Sequence, residues 1–115
     1  MDRAIRNVLI ERTMLGHEDH GIFTCSLQTI SGAIGQSFGG YALDSWSEEK
    51  KARIGTAYGV QFLINVLRVC GVEKWEDIKG KHIRVDADHG RVFRIGHITE
   101  DIWFDPKQLA EEMGL

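Results

Sequence analysis

The stretch from Thr56 to Cys70 constrains this chain most. It contains no proline, Thr56 supplies an N-cap and Gly71 a stop. After the first turn its polar residues are Gln61, Asn65 and Arg68, spaced four and three apart. On a helix those positions form one narrow stripe. A helix that is apolar nearly all round is buried on most sides, here against a sheet and against a partner subunit.

The flanking segments read as strands. Ala4 to Leu15 is rich in β-branched and aliphatic residues, and Gly16 to Gly21 then makes a glycine-bounded turn. In the next strand Phe23, Cys25 and Leu27 point one way and Thr24, Ser26 and Gln28 the other, as in an antiparallel sheet with one wet face. Gln36-Ser37-Phe38-Gly39-Gly40-Tyr41-Ala42-Leu43-Asp44 is a third strand interrupted by glycines. Glycine inside a strand marks either a bulge or a close approach by a ligand or another backbone, and both alternatives stand here. Trp46 to Arg53 reads as helical or irregular, and Val72 to Gly80 as a short helical turn.

Lys81–Ala87 and Arg91–Ile98 form a hairpin around Asp88-His89-Gly90. A three-residue loop sets Val85 opposite Phe93 and Ile83 opposite Ile95, a consistent apolar face. Asp105, Pro106 and Gln108 open a last helix as cap, first residue and capping-box partner, and Gly114 ends it. The expected fold is α+β: one domain over residues 1–115, an antiparallel sheet packed by one long helix and a C-terminal helix, dimeric.

At 115 residues the chain buries roughly two-thirds of its extended surface. A net charge of −3 argues against a general nucleic-acid binder, so DNA is not expected as a partner. No apolar run reaches the length of a membrane span, and Met1-Asp2-Arg3 opens without the apolar core of a signal peptide. Cys25 and Cys70 sit in apolar pattern and read as reduced and buried, so the host cytoplasm is the expected compartment.

The hairpin carries the sharpest chemical signal. The register above sets Arg84 across from Arg94 on the wet face, beside His82 and Asp86. Like charges opposed in a sheet cost up to about 1 kcal/mol. They are tolerated if an anion lies between them, if both side chains bend into solvent, or if Asp86 and another carboxylate neutralise them. Arg91, next to the turn, is a third cation. Phe38, Tyr41 and Trp46 are able to stack on a flat base, Gln36, Asn65 and Asp44 to bond its edges or a ribose, and Arg84, Arg91 and Arg94 to hold phosphates.

Bond-breaking chemistry is not expected. His17-Glu18-Asp19-His20 crowds four titratable groups onto one turn, unlike the spaced ligands of a closed metal site, and neither metal nor cofactor is expected. Ser37, Ser45 and Ser47 lack a nucleophile elbow, and Cys70 lies in an apolar helix.

Three segments in order carry a family resemblance: Gly16 to Thr24, Gln36 to Asp44, and Gly71-Val72-Glu73-Lys74-Trp75-Glu76-Asp77. They resemble the type 1 anti-Thoeris proteins of phages. The resemblance implies a small dimerising α+β protein that sequesters cyclic ADP-ribose isomers, such as glycocyclic ADP-ribose, without cleaving them. Some members assemble as hexamers and also hold cyclic oligonucleotides, such as a cyclic trinucleotide, at separate sites. Asp88 and Arg91 match the spacing of an Asp and an Arg in the family pocket. Gln36, Phe38, Gly39 and Gly40 belong to the family motif, as ligand contacts or as assembly residues. Ser37 stands where the motif has glycine. The expected ligand-binding set is thus Asp88, Arg91, Arg84, Arg94, Gln36, Phe38, Gly39, Gly40 and Asn65. The alternatives are a nucleotide-hydrolysing enzyme and a small phage assembly protein.

Overall fold

A computed structural model describes residues 3–115. Six strands form one antiparallel sheet: β1 (Ala4–Glu18), β2 (Ile22–Ser31), β3 (Ile34–Gly39), β6 (His82–Ala87), β7 (Val92–Gly96) and β8 (Trp103–Phe104). Their order is β3-β2-β1-β6-β7-β8. A separate two-stranded sheet pairs β4 (Asp44–Ser47) with β5 (Ala52–Gly55). Two helices follow, α1 (Ala57–Cys70) and α2 (Pro106–Glu112). The α+β expectation holds, with the large antiparallel sheet and both helices in place.

The sheet rolls around α1. Phe38 on one edge strand and Phe104 on the other come within 6.2 Å, and Phe62 of α1 packs against both. The rest of the core is aliphatic: Val8, Ile10, Leu27, Val66, Ile83, Val85 and Ile95 are all buried. One face of the sheet therefore covers the core, and the other is left to solvent.

The ends of α1 follow from local chemistry. The Thr56 hydroxyl accepts from the Gly59 N–H at 2.9 Å, and Gly71 closes the helix at φ +69°. Leu43 packs beside the first turn, its carbonyl oxygen accepting from both the N–H and the hydroxyl of Thr56. A side chain at Gly59 would overlap that carbonyl, so the glycine permits the close approach. Asp105 caps α2, accepting from Lys107 N at 2.9 Å.

Four sequence expectations are corrected. β1 continues through Gly16 to Glu18, and the turn narrows to Asp19-His20-Gly21, all with positive φ. β3 stops at Gly39, where φ of +119° and a hydrogen bond from Gly40 N to Cys25 O turn the chain out of the ladder. Trp46 to Arg53 is the β4–β5 hairpin, drawn together by the Arg53–Asp44 ion pair at 2.8 Å. The fourth correction alters the site. A bulge in β7 sets Val85 opposite Ile95 and Arg94 opposite Asp86, leaving Arg84 opposite Gly96.

Candidate functional site: an arginine–aromatic face

The bulge replaces a like-charge pair by an opposite-charge one. Arg94 Nε donates to Asp86 Oδ2 at 2.7 Å, and Arg3 Nε donates to Asp86 Oδ1 at 2.7 Å. Asp86 thus neutralises Arg94 together with Arg3, whereas Arg84 has no carboxylate partner among the described residues and donates to backbone carbonyls instead. Asp86 is 6% exposed, and its hydrogen bonds from Arg3 and then Arg94 hold its carboxyl below the ordinary range.

Two aromatic rings complete the array. The guanidiniums of Arg3 and Arg91 lie 4.2 and 4.7 Å from the Phe93 ring centroid. Those of Arg84 and Arg94 lie 4.8 and 4.2 Å from the Trp103 ring. Trp103 lies across Gly96, where an added Cβ would come within 2.7 Å of the ring. Arg91, Phe93, Arg3, Asp86, Arg94, Trp103 and Arg84 thus form one continuous ladder on the sheet face opposite α1. Within it four guanidiniums surround Asp86, and the Asp88 and Asp105 carboxylates also act on Arg3. Cation–π contacts of this kind fix the planes of the guanidiniums at about 0.5–1 kcal/mol each at exposed sites.

The arginines are not equally free. Arg84 donates through Nε to His97 O and through Nη2 to Glu100 O, both at 2.7 Å, tying down the 97–101 loop. His97 Nδ1 accepts from the N–H groups of Thr99 and Glu100, which places its ring proton on Nε2. The Arg91 guanidinium has no hydrogen-bond or ion-pair partner among the described residues and is the most available cation of the set.

Gln36 and Asp88 meet at the rim of the roll. Gln36 Nε2 donates to Asp88 O at 2.6 Å, and its Oε1 accepts from Arg6 Nη2 at 3.2 Å. Asp88 Oδ1 accepts from the N–H groups of Gly90 and Arg91, and these donors hold its carboxyl below the usual range. Gln36 and Asp88 thus meet through the Asp88 backbone, and Asp88 holds the Arg91 N–H while the Arg91 guanidinium lies over Phe93, with Arg84 and Arg94 farther along the same hairpin.

The other expected residues lie elsewhere. Phe38 is 2% exposed within the aromatic core, so its ring offers no face to a ligand. The close approach at Gly39 is to the chain itself: an added Cβ would overlap the Cys25 carbonyl and lie 2.8 Å from Ser26 Cα. Gly40, at φ +83°, turns the chain away with open space around it. Asn65 accepts from Gln61 at 2.9 Å and lines a cleft of about 200 Å³ between α1 and α2, which borders the arginine–aromatic face at Trp103. Tyr41 packs on the core, Asp44 is spent on Arg53, and Trp46 is exposed on the β4–β5 hairpin.

Arg3, Phe93 and Trp103 join the site without belonging to the set expected from the sequence. The signal for Trp103 was the pairing of a large aromatic with Gly96 across adjacent strands, a recurrent way to cover a strand glycine. Among the described residues no group of three His, Cys, Asp or Glu is placed to hold a metal ion, and no helix is long and apolar enough to cross a membrane. No protein-family model, curated protein or solved structure matches this chain.

Proposed function

We propose that this chain captures a small phosphorylated nucleotide on its arginine–aromatic face and holds it without cleaving it. One observation carries the reading: four guanidiniums gather on two aromatic rings around Asp86, on the sheet face opposite α1, with Asp88 and Asp105 as the further carboxylates near Arg3. Arginine held in plane is well shaped for bidentate contact with phosphate. Both thiols are buried and pushed up to about 12, which supports binding over turnover by a cysteine nucleophile. The resemblance to anti-Thoeris proteins points to a cyclic ADP-ribose isomer as the ligand.

Titration calorimetry with cyclic ADP-ribose isomers tests this. Arg91→Ala is expected to weaken binding at least about tenfold, the loss of one charge-assisted contact, while melting as the parent does. Heating and extracting the complex separates capture from hydrolysis. Intact ligand recovered in proportion to protein supports capture, whereas progressive loss of ligand makes the protein an enzyme.

A second reading, an assembly protein, is favoured by α1. Val60 is 59% and Ile64 48% exposed on the helix side turned from the core, with Leu63 and Leu67 half-buried beside them. We propose that this stripe joins two copies into a homodimer. Light scattering on the parent and on a Val60→Glu, Ile64→Glu double variant checks it, and a parent monomeric at micromolar concentration removes the dimer.

A further inference from the structure

We propose that the same open face also takes a linear single-stranded oligonucleotide of about three or four nucleotides. This rests on the reading above, because the same guanidiniums would hold the phosphates. The face is built in rungs. Asn7, Arg84, Gly96 and Trp103 lie side by side across four strands, and Ile5, Asp86 and Arg94 form the next row, two residues along. Arg3, Phe93 and Arg91 lie beyond it. Two residues of a strand span about 6.6 Å, so cationic groups recur at a step comparable to that between successive phosphates of an extended strand.

The aromatic groups recur with them. Phe93 and Trp103 stand on neighbouring strands of an antiparallel sheet, each bearing guanidinium planes. Rings and arginine planes on an open sheet are platforms for unpaired bases, with sequence tolerance because every base has a π-face. The surroundings favour an extended ligand. Ile5 is 52% exposed on this face, and α1 covers the opposite side. A single nucleotide would use one rung of such a ledge, and a strand gains affinity by repeating the same contacts along it. The net charge of −3 does not oppose this, because four guanidiniums gather here against Asp86, Asp88 and Asp105, which leaves the face locally positive.

Fluorescence anisotropy with labelled oligouridylates of one to six nucleotides tests the proposal on the full chain, with AMP and an acidic heptapeptide as competitors. Affinity is expected to rise about fivefold or more per added nucleotide up to three or four, then level off. The slope of log K against log salt should be about −2, for about three phosphates. Arg3→Ala and Arg91→Ala should each make that slope shallower by about 0.7, with melting temperatures confirming that both variants fold. AMP matching the longer probes would overturn the strand and leave nucleotide capture standing. Displacement by the acidic peptide alone would overturn it as well. Failure of cyclic ADP-ribose isomers and oligouridylates alike to bind would remove both proposals.

Discussion

Gln36 and Asp88, 52 residues apart in the chain, are joined by a 2.6 Å hydrogen bond from an edge strand to the β6–β7 turn. This bond fastens the rolled sheet at its rim. The amide nitrogen of Gln36 makes that bond while its oxygen accepts from Arg6, so one side chain serves three elements.

Gln36→Ala should therefore cost about 1–2 kcal/mol, because the Asp88 carbonyl and the Arg6 donor both lose a partner. Urea denaturation measures the loss. Hydrogen exchange should show faster opening at the Asp88–Arg91 turn than in α1, and uniform change across the chain would contradict a local fastener.

Asp86 gives the fold an acid-sensitive joint. Its folded-state pKa is lowered, chiefly by Arg3 and also by Arg94, so its stabilising contribution is complete above the ordinary carboxylate value of about 3.9. That contribution is lost as pH falls through the lower folded value. Asp86→Asn should remove about 1 kcal/mol at neutral pH, a modest figure because both guanidiniums are partly solvated. Melting curves from pH 7 to pH 2.5 should converge for parent and variant at the acid end.

Two glycines should respond against helix propensity and general stiffening rules. Glycine to alanine inside a helix ordinarily stabilises by up to about 1 kcal/mol. At Gly59 the new methyl would meet the Leu43 carbonyl carbon at 2.8 Å, so Gly59→Ala should destabilise instead, by about 1–3 kcal/mol. Gly39→Ala combines overlap with a φ of +119° and should be at least as damaging. Stabilisation in either case would show that the β2 backbone and the Leu43 segment have slack.

The cysteines should be silent until the chain opens. Burial pushes Cys25 and Cys70 up to about 12, so native protein at pH 8 should resist a thiol reagent that reacts at once in denaturant. Rapid labelling of either thiol in the native state would mean that the roll opens readily.

The parts legible in the sequence were those decided by near neighbours. Thr56, Gly71, Asp105 and Pro106 announce helix ends because capping is chemistry within one turn. The alternation of Cys25 and Leu27 likewise marks a sheet face without reference to distant residues. The β7 bulge was not legible, because Asp86 is satisfied jointly by its hairpin partner Arg94 and by Arg3 from the far end of the chain. Without Arg3, pairing Phe93 with Val85 is the simpler apolar match. Phe38 was read as a stacking residue because its polar neighbours suggested a pocket. Its partner across the ladder is Leu27, already on the core side, and that pairing settles the direction of its ring. Trp46 misleads for the opposite reason: its strand pairs only with β5, and the local pattern of charges between them reads as helical or irregular.

The β4–β5 hairpin offers a practical handle. Its tip, Glu48 to Lys51, is solvent-exposed and bonded chiefly to itself, through Lys51 to Glu48 and Lys50 to Ser47. A peptide tag or fluorophore spliced between Glu49 and Lys50 would ride on a ribbon outside the main sheet. Such a graft lets the protein be immobilised or tracked by a route that leaves the ladder's side chains in their native surroundings.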